Sequence, residues 1–111
     1  MVSPVKNSGA DIAMRGAPYL QAVRALVLDE LRHARVRVYL FGSWARGTPK
    51  RTSDVDIAVE PLEALPPGAL ARLRERLEES TIPYRVEIVD LSHADDGFRQ
   101  RIKEEGILWS A

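Results

Sequence analysis

Apolar residues recur at helical spacing from Pro18 onward. Leu20, Val23, Val27 and Leu31 fall three and four positions apart, as expected of one buried helical stripe. Leu26 and Leu28 widen the stripe, Glu30, Arg32 and Arg35 lie off it, and the helix is expected to end near Ala34. From Arg35 to Phe41 the chain alternates and then becomes solidly apolar, which suits a strand whose far end is buried on both faces. Gly42-Ser43 breaks that strand, and Thr48 to Ser53 is a polar loop carrying Pro49. Asp54 to Glu60 alternates again: Val55, Ile57 and Val59 share one face, Asp54, Asp56 and Ala58 the other. The first face is core, and the second opens on a cleft.

The second half repeats this rhythm. Pro61 to Pro67 reads as a linker, followed by a helix over Ala69–Glu79 whose stripe is Leu70, Leu73 and Leu77. Tyr84 to Leu91 is expected to be a third strand. Ser92 or Asp95 can cap a last helix through Phe98 and Ile102, Gly106 stops it, and Ile107-Leu108-Trp109 is an apolar tail end. Residues 1–15 lack periodicity and read as a mobile tail, leaving one domain over 16–111. The expected class is α/β (α+β), with a small mixed sheet flanked by helices.

Composition narrows the function. Hydrophobic residues make up 45% of the 111, enough for a modest core. The 16 basic and 16 acidic side chains cancel, so a broad nucleic-acid surface is not implied. No apolar run approaches the roughly 20 residues of a membrane span. There are no cysteines, which excludes disulfides and thiolate metal sites and makes the cytoplasm the expected location.

The candidate chemistry lies in residues 41–56. A glycine at a strand end lets backbone N–H groups approach a phosphate, and Ser43 can cap the next turn or donate its hydroxyl. Arg46, Lys50 and Arg51 are within reach of an anionic ligand. Asp54 and Asp56, two apart on a strand, project their carboxylates from one face, where repulsion favours a cation between them. Isolated, such a pair is more often a turn cap and a solvated strand edge. His33 and His93 read as surface residues, Trp44 as a packing or partner residue, and Arg72, Arg74 and Arg76 as a solvated helix face.

The combination is more specific. Phe41-Gly42-Ser43-Trp44-Ala45-Arg46-Gly47, followed after Lys50-Arg51-Thr52 by Ser53-Asp54-Val55-Asp56, resembles the nucleotidyltransferase superfamily that includes DNA polymerase beta. Within it the chain is similar to the minimal nucleotidyltransferases (MNT), single domains typically paired with a small helical HEPN protein. The resemblance implies the polymerase beta-like fold and a nucleotide held by Gly42, Ser43, Arg46 and Ser53. It implies Mg²⁺, two ions, on Asp54, Asp56 and a third carboxylate, Glu87. In the family that third group is usually Asp and deprotonates the attacking hydroxyl; Asp90, three residues on, falls on the opposite face by alternation. The implied reaction moves AMP from ATP to a hydroxyl, such as a tyrosine of a HEPN toxin, with this chain as antitoxin. A second copy of the chain is a further candidate partner. The competing expectation, prompted by Glu87 in place of Asp, is a catalytically weak nucleotide-binding module that neutralises or regulates a helical partner by binding.

Overall fold

The computed structural model describes residues 9–110, with side-chain surroundings from Ile12 onward. Its elements are α1 (Gly9–Glu30), β1 (Val36–Phe41), the single turn α2 (Gly42–Ala45), β2 (Val55–Pro61), α3 (Ala69–Glu79), β3 (Val86–Asp90), a 3-10 turn (Leu91–His93), α4 (Asp96–Glu105) and β4 (Ile107–Ser110). The four strands form one mixed sheet in the order β3-β2-β1-β4. β1 runs antiparallel to β2 and to β4, whereas β2 and β3 are parallel. A parallel pair needs a crossover rather than a hairpin, and α3 is that crossover.

The sheet buries its faces unequally. Val38, Leu40, Val55, Ile57, Val59 and Ile88 point to the side covered by α1 and α3, where Val23, Val27, Leu31, Leu73 and Leu77 meet them. Here the period-2 pattern of the strands and the 3.6 period of the helices join in one core. Arg76 of α3 fastens this layer, donating to Asp29 at 2.8 Å and to Glu30 at 3.4 Å. On the opposite face Tyr39, Ala58, Leu91 and Ile102 form a smaller cluster, extended by Phe41, Val89 and Phe98. α4 and the 3-10 turn contribute Ile102, Phe98 and Leu91 to that side. Lys103 of α4 reaches Glu60 at 2.8 Å, and Arg37 approaches the same carboxylate at 3.3 Å. Asp95 caps α4, accepting from Phe98 N–H at 2.7 Å.

Two elements differ from the expectations, α1 at both ends and β4. α1 begins at Gly9, so the stretch 9–15 read as tail is helical, and the boundary at 15/16 falls inside a helix; residues 1–8 lie outside the described residues. The stripe continues backward through Ile12 and Gly16, each four residues apart and both buried. A glycine at a stripe position and Pro18 in mid-helix hide this from a hydrophobic pattern. The helix also ends at Glu30, and Leu31–Ala34 closes as a turn. Finally, Ile107–Ser110 is a strand on the edge of β1 rather than a tail, burying Trp109 in the main core. Among the described residues no helix is long and apolar enough to cross a membrane.

Candidate active site

The strand register brings the acidic residues together. Asp56 on β2 stands opposite Phe41 on β1 and Glu87 on β3. Paired residues of neighbouring strands share a face, so Asp56 and Glu87 project side by side from the face that α4 covers only in part. Asp54 precedes β2 by one residue, near enough for its charge to act on Asp56. Burial pushes the Asp56 carboxyl above its ordinary value, the charges of Asp54 and Glu87 push it further, and Arg46 opposes them. Asp90 is elsewhere: its carboxylate accepts from Ser92 N–H at 2.9 Å and Ser92 O–H at 2.6 Å, starting the 3-10 turn at the other end of β3. That commitment, and the alternation of β3, separate it from the acidic group.

Gly42 closes the site against Asp56. Its φ is +76°, in the left-handed region, and a Cβ there would collide with Asp56 Oδ2 and lie 3.1 Å from its Cγ. The backbone of the turn thus sits directly on the carboxylate, an approach only glycine allows. Ser43 lies inside the first turn of α2 rather than at its cap, which is Phe41 and carries no side-chain cap bond. The leading N–H groups of such a turn lack helical acceptors, which leaves donors beside the carboxylates. Arg46 follows as the exposed C-cap of α2. Ser53 is engaged in the loop: its Oγ accepts from Lys50 N–H at 2.8 Å, and its own N–H donates to Lys50 O at 3.0 Å.

Trp44, expected to pack or to meet a partner, is buried at 4% exposure. Its ring meets Tyr84 edge-on, centroids 5.0 Å apart, and its Nε1–H donates to Ser53 O at 3.4 Å. Phe41 and Phe98 form a second edge-to-face pair, 6.0 Å apart, alongside Asp56 on the same face. Neither aromatic contact was legible in the sequence, since both join residues more than thirty positions apart. His33 is exposed, and His93, 85% exposed, stands 3.6 Å from Asp90, remote from the acidic group.

The glycine turn thus lies on one of three neighbouring carboxylates, Asp54, Asp56 and Glu87. Among the described residues no three or more acidic, imidazole or thiol groups form a ready-made metal cage. The donor set still fits a hard divalent cation, being oxygen only, with like charges crowded around a carboxyl that resists ionisation.

The family model for polymerase beta nucleotidyltransferases matches residues 30–110, from the end of α1 to the end of β4. The chain belongs to this family. Among relatives of this nucleotidyltransferase, a Haemophilus influenzae protein named "Probable protein adenylyltransferase MntA" is 39% identical over 70 residues, 60% of this chain. The chain spans 59% of that relative's length. Among solved structures, a toxin–antitoxin crystal structure with AMP-PNP superposes with a TM-score of 0.64 at 31% identity, covering 79% of this chain and 73% of the other. A chain from the complex of tri-AMPylated Shewanella oneidensis HEPN toxin with MNT antitoxin superposes with a TM-score of 0.57 at 26% identity, covering 82% and 71%. These likenesses make the nucleotidyltransferase a minimal one, of MNT type.

Proposed function

We propose that this chain is a protein adenylyltransferase that moves AMP from ATP to a hydroxyl, a tyrosine of a helical HEPN partner, and thereby neutralises that partner as its antitoxin. The observation that carries the reading is the register of Asp56 with Glu87 beneath the Gly42 turn. It supports the reading because the Gly42 backbone, Asp56 and Glu87 lie against one another on one face of the sheet. Relatives named for adenylyl transfer and for an AMPylated HEPN toxin support the same chemistry.

In this reading Gly42 and Ser43 hold the terminal phosphates through N–H and O–H donors, and Arg46 neutralises part of their charge. Ser53 keeps the loop folded and retains an O–H for the nucleotide. Asp54, Asp56 and Glu87 would hold Mg²⁺, which when bound supplies Lewis-acid charge to the phosphates and lowers the pKa of the acceptor hydroxyl. The acceptor oxygen attacks the α-phosphorus; the new O–P bond forms as the bond to the bridging oxygen breaks, and pyrophosphate leaves with that electron pair. Glu87, the exposed member of the group, takes the hydroxyl proton. In this reading the partner brings its own hydroxyl to the exposed side of the carboxylates, beside Glu87.

The test is incubation of the full chain with α-labelled ATP, Mg²⁺ and the cognate helical protein. Label on a partner tyrosine, lost with Asp54→Asn/Asp56→Asn, is the expected result. Absence of label with every common nucleotide would reject the enzymatic reading. Survival of neutralisation in the double variant would instead assign the function to binding alone.

A further inference from the structure

Asp56 and Asp54 are held by different means. Asp56 lies within the sheet, paired with Phe41 on one side and Glu87 on the other. Asp54 precedes the first paired residue of β2, Val55, whose N–H donates to Arg85 O at 2.9 Å. No ladder fixes Asp54. The peptide that leads into it is instead held at Ser53 O by the indole N–H of Trp44, and Trp44 is the residue after Ser43, in the same turn α2.

The indole is itself held on two further sides. Tyr84, just before β3, meets its ring edge-on, and Tyr19 of α1 meets Tyr84 at 5.8 Å in the same manner. On α1, Gly16 has no side chain where the indole lies: a Cβ there would collide with Trp44 Cη2 and stand 2.6 Å from Cζ3. One rigid bicycle therefore connects α1, the glycine–serine turn, the approach to β2 and the approach to β3. A flat ring with a single N–H transmits position because it has only two side-chain torsions and is buried among these contacts.

We propose that Trp44 is a positioning residue that sets Asp54 in register with the Gly42–Ser43 turn. Its role rests on the reading of residues 42–56 as a nucleotide and metal site. The prediction is selective: losing the N–H should loosen Asp54, not the fold. A displacement on the order of 1 Å at a reacting centre can cost about 10²-fold in rate. A single released tether should cost less.

The experiment compares the full-length wild type, Trp44→Phe and Gly16→Ala. Phenylalanine keeps a buried ring and removes the N–H. Alanine at Gly16 leaves the indole intact but pushes it from the α1 side, at a helix position where alanine is otherwise favoured. Four quantities are measured: the urea midpoint, amide hydrogen exchange at Asp54, Mn²⁺ affinity by electron paramagnetic resonance with AMP-PNP present, and kcat and KM for ATP in label transfer. Trp44→Phe loses one hydrogen bond and part of a buried ring, so its midpoint should fall by about 1 M while the protein stays folded. It should speed exchange at Asp54, weaken Mn²⁺ about tenfold and lower kcat about tenfold, leaving KM within about threefold. Gly16→Ala should reproduce the exchange and Mn²⁺ changes.

Wild-type exchange and Mn²⁺ affinity in a folded Trp44→Phe protein would overturn the proposal. If Trp44→Phe fails to fold, unchanged Mn²⁺ affinity in Gly16→Ala overturns it and weakened affinity supports it. Wild type that binds Mn²⁺ yet transfers no label rejects the enzymatic reading while leaving the Asp54 comparison intact. Wild type that binds no Mn²⁺ rejects both.

Discussion

Alanine at Gly42 should do two separable things, one to the fold and one to the site. The glycine has a φ of +76°, where an L-residue costs about 1–2 kcal/mol. With a urea m-value of about 2 kcal/mol/M, within the usual range for a small protein, that cost lowers the unfolding midpoint by roughly 0.5–1 M. The added Cβ also runs into Asp56 Oδ2 and lies 3.1 Å from Cγ and 3.4 Å from Cβ of that side chain. Since Asp56 is anchored in the sheet between Phe41 and Glu87, its carboxylate must rotate away or the turn must lift. Either movement is on the order of 1 Å, the scale that costs about 10²-fold in rate, or about 2.7 kcal/mol in the barrier. Gly68→Ala is the control. Its φ is +77°, and the nearest atom to its Cβ is the flexible end of Arg72, 3.1 Å away, at the start of α3. Urea titration and label transfer on both variants give the comparison: similar losses of stability, with a loss of transfer only in Gly42→Ala. Equal transfer by the two would mean that the Gly42 turn does not determine where the Asp56 carboxylate sits.

Other perturbations address the remaining parts of the site and its support. Glu87→Gln should lower transfer by about 10²–10⁴, the usual worth of a general base, with AMP-PNP affinity in equilibrium dialysis nearly unchanged; wild-type turnover would remove Glu87 from the proton step. Asp56→Asn should abolish transfer yet stabilise the metal-free protein at pH 7. Burial, Asp54 and Glu87 raise its folded pKa, so stability is lost as pH rises from the unfolded to the folded value, and a neutral amide avoids that loss; a lower thermal midpoint in calorimetry would contradict it. Glu60 has the opposite sign. Burial, with its side chain 12% exposed, raises its pKa, but hydrogen bonds and charges from Lys103 and Arg37 outweigh that and lower it below the ordinary 4.5. Its contribution is therefore complete above about pH 5 and is lost as pH falls through the lowered value. Glu60→Gln should cost about 1 kcal/mol at pH 7 and flatten this acid limb in urea titrations; an unchanged limb would show that the Lys103 and Arg37 contacts carry no net stability.

Local chemistry made much of this protein legible from its residues alone. α3 spans Ala69–Glu79 as the leucine spacing predicts, Asp95 caps α4, and Gly106 is its C-cap. The alternation of Val55 to Glu60 likewise fits a strand with one face in the main core. Such features depend on neighbours within a turn or two, where periodicity and capping act. The position of Glu87 beside Asp56 is different, because it depends on the offset between two parallel strands joined through α3. Alternation separates Glu87 from Asp90, but only the register gives Glu87 its neighbour. The same holds for β4, whose four residues become a strand because β1 has a free edge there, and for Gly16, which belongs to the stripe of α1 because an indole fills its missing side chain.

The sequence by itself determined most of the elements and the glycine–serine turn, since periodicity, capping and backbone geometry impose each of these locally. Tertiary structure decided which carboxylates meet, how closely the Gly42 turn approaches Asp56 and what holds Asp54 outside the ladder. These are distances between segments far apart in the chain, set only when the sheet and its helices pack.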